Sequence, residues 1–282
     1  MTASGSAPST LGPLARHVQR AGLAIELYGL TGVAKLVARR VRRRPARSFT
    51  AQIEERVARR RGLEIGGPTM SLFGPRRLLP IYPLAARIDN VNFAAGQTHW
   101  ENVVAGDTFV FDTARAPGTQ FVGEATALPM IADGAYDFLL SSHTIEHTAN
   151  PLRALREWRR VLSPGALLVL VAPDPTRTFD HRRPITTLAH LVEDEANGTS
   201  ENDLSHMDEI VRLHDLKRDI GAPQDRAEFA ARCGRNSELR CLHHHVFDLS
   251  LLRAAVERVG FKVLDAERAL ANNLIVLAEV PV

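Results

Sequence analysis

The chain has 282 residues, of which 45% are hydrophobic and 24% charged, and its formal net charge is +3. This length can bury the core of one large domain, and two cysteines are too few for a disulfide scaffold. No run approaches the roughly 20 apolar residues of a membrane-spanning helix. The N-terminal residues include no long apolar stretch, so we expect no signal peptide. We therefore expect a cytoplasmic protein.

The positive charge is concentrated near the N-terminus. Residues 1–61 hold 13 basic and 3 acidic residues, whereas the remaining 221 hold 22 basic and 29 acidic ones. Apolar and basic positions alternate at helical spacing from Leu11 to Arg44, and Pro45 ends the pattern. The sequence thus predicts a basic helical arm over 1–60, followed by a folded domain over 61–282.

The arginine-rich run from Arg39 to Arg44 leaves three interpretations open. It fits contact with an anionic membrane surface, contact with nucleic acid, or the solvated face of a helix packed on the domain. No aromatic residue interleaves with these arginines, which makes nucleic acid an unlikely partner. A peripheral position at the inner membrane surface stays open beside the packed helix.

After the arm, the pattern alternates between helix and strand. A helix over 49–61 precedes a short buried strand, and a helix over 151–162 carries its apolar residues on one face. The apolar run 166–172 is typical of a strand that is covered on both faces of a parallel sheet. Further strands are predicted at 62–65, 87–88, 120–122, 136–141, 261–267 and 273–279, with a helix over 248–259. The alternation predicts an α/β fold.

The first predicted strand ends in a turn that suits a ligand. Glu64 precedes Gly66, Gly67 and Pro68. Glycine lets the backbone bend and approach a ligand closely, and a carboxylate at a strand end can accept hydrogen bonds from amines or hydroxyls. Asp89 follows about 25 residues later, at the predicted end of the second strand, where a ribose ligand is expected.

Three later segments complete an ordered series: 123–129 (GEATALP), 136–147 (YDFLLSSHTIEH) and 160–166 (RVLSPGA). With the turn after Glu64, this series resembles the class I S-adenosylmethionine-dependent methyltransferases, in particular the bacterial methyltransferase type 11 group. The resemblance spans roughly residues 61–280. It implies a Rossmann-like, doubly wound sheet of about seven strands. This sheet would be mostly parallel, with an antiparallel hairpin at its C-terminal edge and a helical cap insertion.

The resemblance also implies which residues bind S-adenosylmethionine. The turn would hold the methionine part, Asp89 the ribose, and the segment after the third strand the adenine. The family usually has two more glycines where this chain has Pro68 and Met70, and the proline stiffens the turn. The implied cofactor-binding residues are Glu64, Gly66, Gly67, Pro68, Asp89, Glu124, Ala125, Ser142 and His143.

Methyl transfer to a hydroxyl requires alignment and a group that removes or weakens the hydroxyl proton. His143, Glu146 and His147 have the spacing H-x-x-E-H, which resembles the E-x-x-E-H metal-binding segment of small-RNA 2′-O-methyltransferases. Those enzymes add a histidine after strand five, where this chain has Asp180 and His181. The resemblance implies a divalent metal held by His143, Glu146, His147 and His181, or a metal-free site with a histidine base. We favour the metal-free site.

About 75 residues, 173–247, separate the fifth strand from the last helix, far more than a connection needs. Insertions of this kind lie over the carboxyl ends of the strands, so we interpret this one as an acceptor-binding cap. It contains His243, His244 and His245, of which at most two can serve one site because neighbours in an extended segment point to opposite faces. The catalytic candidates are thus His147, Asp180, His181 and His244.

These features predict an S-adenosylmethionine-dependent O-methyltransferase for a sugar or another polyhydroxylated acceptor. The polar cap and the aromatic content of 6% favour such an acceptor over an apolar aromatic one. Two alternatives stay open. One is a methyltransferase for a small secondary metabolite or lipid, and the other is a catalytically silent, methyltransferase-like domain that binds a partner.

Overall fold

The computed structural model describes residues 21–22, 24–26, 29–34, 47–94, 96–97, 102–269 and 272–282. Most of the predicted arm, including the arginine-rich run 39–44, lies outside these residues. Within the described ranges, no helix combines the length and the apolar character that crossing a membrane requires.

The described residues include a set of strands and helices that alternate along most of the chain. The strands are β1 (Arg61–Ile65), β2 (Arg87–Asn92), β3 (Gly96–Gln97), β4 (Asn102–Val103), β5 (Gly106–Phe109), β6 (Gly118–Val122), β7 (Tyr136–Ser142), β8 (Leu162–Pro173), β9 (Lys262–Ala269) and β10 (Asn273–Glu279). The α-helices are α1 (Arg47–Val57), α2 (Met70–Phe73), α3 (Pro151–Val161), α4 (Leu188–Asn197), α5 (Met207–Leu213), α6 (Arg226–Cys233), α7 (Asn236–Leu239) and α8 (Leu249–Arg258).

Eight strands form one sheet in the order β5-β6-β2-β1-β7-β8-β10-β9. Strand β1 pairs in parallel with both β2 and β7, whereas β10 runs antiparallel to β8 and β9. The predicted Rossmann-like sheet with an antiparallel C-terminal hairpin is confirmed. The chain builds outward from β1 to β2 and β6, then returns to β7. This reversal opens a crevice at the carboxyl ends of β1 and β7.

The sheet has one strand more than expected. Strand β5 pairs antiparallel with β6 at the edge of the sheet, and β3 pairs with β4 in a separate hairpin. Both come from the connection between β2 and β6. Part of this connection therefore extends the sheet.

Two apolar layers cover the sheet, and β8 contributes to both. Leu168 and Leu170 pack in the layer that contains α3, whereas Leu167 and Val169 pack in the layer that contains α1. Alternate side chains of a strand point to opposite faces, so a strand buried on both faces reads as a continuous apolar run. Burying each of these side chains stabilises the fold by about 1.5–3 kcal/mol.

Helix α3 begins where its sequence predicts. Asn150 is its N-cap and accepts a hydrogen bond from the backbone N–H of Arg153 at 3.1 Å, and Pro151 occupies the first turn. Leu155 and Trp158 are fully buried against the sheet. The cap and the apolar face together hold α3 on the sheet, directly after the loop that carries Glu146 and His147.

Helix α1 packs on the opposite face. Ile53 and Val57 are buried in that core, and Arg56 forms a 2.5 Å ion pair with Glu279 of β10. The last part of the predicted arm thus contacts the body of the domain. The division of the chain at residue 60 stays a prediction for the residues before α1.

The insertion 173–247 contains α4 to α7 and a small apolar cluster of its own, made by Ile210, Phe229, Cys233 and Leu242. We call this insertion the cap. It lies between β8 and α8 in the chain, and its residues reach the carboxyl edge of the sheet through Glu201 and Arg240.

Candidate functional site

A cleft lies at the carboxyl ends of β1, β2, β6 and β7, with a volume of about 440 Å³ that includes space open to solvent. Gly66 follows β1, Asn92 ends β2, Glu124 follows β6 and Thr144 follows β7. The cleft therefore lies at the crevice where the strand order reverses, the usual ligand site of open α/β sheets.

Gly66 forms the floor of the cleft. Its φ of 81° lies in the left-handed region, and a Cβ at this position would stand 2.6 Å from Thr144 Oγ1. Its N–H donates to Val91 O at 2.9 Å, which holds the turn against β2. Only glycine meets both requirements, so the backbone of the turn is left open to a ligand.

Glu64, Gly67 and Pro68 do not line this cleft. Glu64 is fully buried beneath the turn, where it accepts hydrogen bonds from Thr69 N at 3.0 Å and Tyr82 OH at 2.6 Å. A Cβ on Gly67 would lie 2.3 Å from the Glu64 carboxyl carbon. The structure thus corrects the expected role of these residues: they shape and support the turn, and Gly66 alone of the predicted turn residues faces the cleft.

Asp89 is also placed away from the cleft. It is fully buried, and it accepts hydrogen bonds from Arg61 at 2.7 Å, Arg87 at 2.8 Å and Thr119 N at 2.8 Å. Burial raises the pKa of Asp89, but these donors outweigh burial and leave the pKa below its ordinary value. The prediction that Asp89 binds the ribose is wrong, because β2 continues three residues beyond it to Asn92.

Asn92 takes the position that the sequence assigned to Asp89. It ends β2 and lines the cleft beside Phe93. The strand is buried through Val91, but two of its buried residues, Asp89 and Asn90, are polar, so the sequence carries no apolar run that marks its end.

Glu124 and Ala125 line the cleft, as the resemblance implies. Arg240 of the cap forms an ion pair with Glu124, and its guanidinium carbon lies 5.3 Å from the centre of the Phe93 ring. Arg240 therefore closes the cleft over the ends of β2 and β6. No sequence motif marks Arg240, because its position depends on the fold of the cap.

Ser142 ends β7 and His143 follows it, but neither residue lines the cleft. Ser142 is buried, and His143 Nε2 lies 2.9 Å from Asn273 Oδ1 of β10. The His143 backbone has a φ of 52°, which turns its ring toward the C-terminal hairpin. Their predicted contact with the cofactor is not supported by this placement.

His147 does line the cleft, and its tautomer is set by the backbone of the cap. Nδ1 lies 2.9 Å from Leu242 O. Because a carbonyl can only accept, Nδ1 carries the hydrogen and Nε2 keeps a lone pair. Burial lowers the pKa of His147 well below its ordinary value, so the ring is neutral near pH 7.

Glu146, His147 and His243 form a group that we call the cleft cluster. One potential ligand atom of each lies within 4.8 Å of the others. Glu146 is buried, and neither of its carboxylate oxygens accepts a hydrogen bond from another residue that the structure describes. His243 Nδ1 lies 2.5 Å from Asp180 Oδ2, and Arg183 donates to Asp180 at 3.0 Å.

The cleft cluster has the chemistry of a divalent-metal site. Two imidazoles and a carboxylate suit first-row ions. Leu242 O and Asp180 hold the outer nitrogens of the two rings, as outer partners of metal-bound histidines do. Burial raises the pKa of Glu146 above its ordinary value, and this effect outweighs the opposing influence of the nearby His143 and His243 rings.

Two members of the predicted metal set, His143 and His181, lie outside the cleft cluster. His181 Nε2 lies 2.9 Å from Asp215 Oδ2 in the cap, and His243 takes its place in the cluster. Asp180 and His181 are neighbours that point to different partners, so only Asp180 reaches the cluster. His143 Nδ1 lies 3.9 Å from Glu146 Oε1, at the border of the cluster.

His244 does not line the cleft but stands behind it. Its side chain is 1% exposed, and its Nε2 lies 3.0 Å from Asn236 Nδ2 and 3.7 Å from Glu201 Oε2. Burial lowers the pKa of His244 to about 4. Because its Nε2 accepts a hydrogen bond from Asn236 behind the cleft, the expected catalytic role of His244 is not supported by this placement.

Glu201 is a cleft residue that the sequence did not single out. Its Oε1 accepts a hydrogen bond from Ala149 N at 3.0 Å. Its Oε2 is buried and accepts none from the described part of the chain. Burial raises the pKa of Glu201 to about 7.

Comparison with known proteins finds a family match for part of the chain. Residues 95–170 match the family model described as a methyltransferase domain. The resemblance to the class I S-adenosylmethionine-dependent methyltransferases is confirmed. Among curated proteins, no sequence matches this chain.

Solved structures of methyltransferases resemble the chain at low identity. A putative sarcosine dimethylglycine methyltransferase from Galdieria sulphuraria is 18% identical, with a TM-score of 0.43, over 77% of this chain and 60% of that one. A SAM-dependent methyltransferase from Aquifex aeolicus is 12% identical, with a TM-score of 0.42, over 96% of this chain and 99% of that one. An arsenic(III) S-adenosylmethionine methyltransferase from Chlamydomonas reinhardtii is 16% identical, with a TM-score of 0.44, over 85% and 74%. At identities and TM-scores this low, none of these similarities identifies an acceptor.

Class I methyltransferases use S-adenosylmethionine, and the cleft fits that cofactor. The open turn at Gly66 leaves room for close approach. Asn92 and Glu124 offer oxygen acceptors for hydroxyl and amine groups. Phe93 adds an apolar ring. Gly66 and these three residues would hold the cofactor.

Proposed function

We propose that this chain transfers a methyl group from S-adenosylmethionine to a hydroxyl oxygen of a polar, polyhydroxylated acceptor such as a sugar. The observation that carries the proposal is His147. It is a neutral imidazole at the cleft whose Nδ1–H is held by Leu242 O, so its Nε2 lone pair is available to a proton. A neutral imidazole with a free lone pair can accept a proton from a hydroxyl.

When bound, S-adenosylmethionine supplies a methyl group on a positively charged sulfur. Transfer of this methyl group to the acceptor oxygen would leave S-adenosylhomocysteine, and His147 Nε2 would accept the hydroxyl proton. Leu242 O keeps the ring oriented during this step, because Nδ1–H stays donated at 2.9 Å. Gly66, Asn92 and Glu124 serve alignment, which matters because the displacement must be in line.

The charged groups that the cap brings to the cleft favour a hydroxylated acceptor. Arg240 and Glu201 both line the cleft, one as a multiple donor and the other as an acceptor. Phe93 is the one aromatic side chain, apart from His147, that lines the cleft among the described residues. A flat apolar acceptor would find few partners there, whereas a sugar ring offers hydroxyls to both charged groups. A small secondary metabolite with several hydroxyls is the runner-up.

The cleft cluster supports a second mechanism for the same reaction. An ion held by Glu146, His147 and His243 would lower the pKa of a bound hydroxyl directly. The buried, unpartnered carboxylate of Glu146 is the observation in its favour. If this mechanism operates, a chelator abolishes transfer and Glu146→Gln is as damaging as loss of His147. If His147 is the base, a chelator has no effect and Glu146→Gln is mild.

The experiment measures methyl transfer from labelled S-adenosylmethionine to a panel of monosaccharides, oligosaccharides and hydroxylated metabolites. His147→Asn keeps an amide donor for Leu242 O but removes the base. We expect it to lower kcat by about 10²- to 10⁴-fold, with little change in the affinity for S-adenosylhomocysteine. His181→Asn is the matched control, because His181 pairs with Asp215 in the cap, and it should leave kcat nearly unchanged.

Two outcomes would contradict the proposal. Binding of S-adenosylhomocysteine without transfer to any hydroxylated acceptor would favour the silent, partner-binding alternative. Transfer that survives His147→Asn would remove His147 from the reaction.

A further inference from the structure

A second histidine cluster lies in the cap, apart from the cleft. His190 belongs to α4, His206 directly precedes α5, and His245 lies in the extended segment before α8. One ring nitrogen of each lies within 4.8 Å of the others. Asp194, one turn after His190 on α4, completes what we call the cap cluster. None of these four residues lines the cleft.

The distances among His190, His206 and Asp194 match those between the ligands of a four-coordinate ion. His190 Nε2 lies 3.0 Å from His206 Nε2 and 3.4 Å from Asp194 Oδ2. In a tetrahedral zinc site with bonds of about 2.0–2.1 Å, neighbouring ligand atoms are about 3.3–3.4 Å apart. The side chains are therefore already near the geometry that an ion requires.

Two buried polar atoms in this cluster lack a partner. Thr199 donates to Asp194 Oδ1 at 3.1 Å, but Oδ2 is buried and accepts no hydrogen bond from any described residue. The His245 side chain is only 1% exposed, and its Nδ1 likewise has no hydrogen-bond partner within the described ranges. Its Nε2 lies 3.2 Å from Ala149 O, so one ring nitrogen stays available. Buried polar atoms without partners are destabilising, and a bound cation would remove this cost.

The protonation states agree with this geometry. Burial lowers the pKa of His206 below its ordinary value and that of His245 well below it. Both rings are therefore neutral near pH 7, and a neutral imidazole is the form that binds metals. His190 and His206 are only half-buried, so an ion can reach the cluster from solvent.

We propose that His190, His206, His245 and Asp194 bind a divalent first-row ion, with Zn²⁺ as the ion that best suits three imidazoles and a carboxylate. The site is structural, because four protein ligands leave no open position. It ties α4 to the turn before α5 and to the segment before α8. This inference does not depend on the proposed reaction.

The ion would act on the cleft through one connection. Glu201 lies between the end of α4 and His206, and its carboxylate lines the cleft. His244, beside His245, has its Nε2 3.7 Å from the Oε2 of the same carboxylate. A bound ion would therefore order the connection 198–206 and hold Glu201 in position.

The experiment uses the full chain, stripped with a chelator and titrated with Zn²⁺ against a chromophoric competitor. All variants carry Glu146→Gln, so that the cleft cluster does not contribute. We expect the Glu146→Gln chain to bind one ion. Adding His206→Ala should weaken binding by at least about 100-fold, because even loss of an outer-shell partner costs 10- to 100-fold. His181→Ala is the control and should leave the affinity unchanged, because His181 lies outside both clusters.

Equal affinity in the His206→Ala and His181→Ala chains would overturn the proposal. His190→Ala serves as a second variant if His206→Ala does not fold. A Co²⁺-loaded Glu146→Gln chain adds a readout that needs no cap substitution. It should show the strong visible absorption of four-coordinate cobalt, and a weak six-coordinate spectrum would overturn the site. Hydrogen exchange in 198–206 should slow when Zn²⁺ is added.

Discussion

Asp89 and Asn92 lie three residues apart on the same strand, but we expect Asp89 to serve stability and Asn92 to serve cofactor binding. Asp89 accepts hydrogen bonds from Arg61 and Arg87 while fully buried, whereas Asn92 lines the cleft. Replacing Asp89 by Asn removes the charge that both arginines share. Breaking a buried ion pair on one side costs about 3–5 kcal/mol. The side chains of Arg61 and Arg87 are 50% and 36% exposed, so water can solvate them after the substitution. We therefore expect a loss at the lower end of this range, about 3 kcal/mol.

The assay combines thermal unfolding with titration of S-adenosylhomocysteine. For a domain of this size, a loss of about 3 kcal/mol lowers Tm by roughly 6–12 °C. Asp89→Asn should therefore unfold earlier but bind S-adenosylhomocysteine with unchanged affinity below its Tm. Asn92→Ala should do the opposite, with Tm retained and affinity reduced by roughly tenfold, the value of about one hydrogen bond. The reasoning is refuted if Asp89→Asn weakens binding without lowering Tm.

The remaining predictions concern pH, because burial shifts the pKa values of two groups, His244 and Glu201, in opposite directions. Burial lowers the pKa of His244 to about 4, so the folded state loses stability as pH falls from about 6.5 to 4. His244→Gln should remove on the order of 3 kcal/mol of this acid sensitivity, measured as urea unfolding at a series of pH values. Burial raises the pKa of Glu201 to about 7, so ionisation costs stability as pH rises from about 4.5 to 7. Glu201→Gln should therefore raise Tm at pH 8 and have little effect at pH 5, and an equal shift at both values would argue against a buried, titrating carboxyl.

Local patterns in the sequence determined the architecture. The apolar run 166–172 predicts a strand covered on both faces, and β8 is that strand. Gly66 marks the turn that faces the cleft, because a left-handed φ needs glycine wherever it occurs. The spacing of Glu146 and His147 places both in the loop after β7, since a strand end and the next helix cap are local features.

Tertiary packing decided which side chains meet. Sequence spacing proposed His181 as the distant histidine of the metal set, but His243 lies beside Glu146 and His147, nearly 100 residues further along the chain. Arg240 and Glu201 reach the cleft only because the cap folds over the ends of β2 and β6. Asp89 is directed away from the cleft by the length of β2, which pairing with β1 and β6 extends to Asn92. Such contacts join segments that no local periodicity relates, so they are set by how the layers pack and not by the neighbours of each residue in the chain.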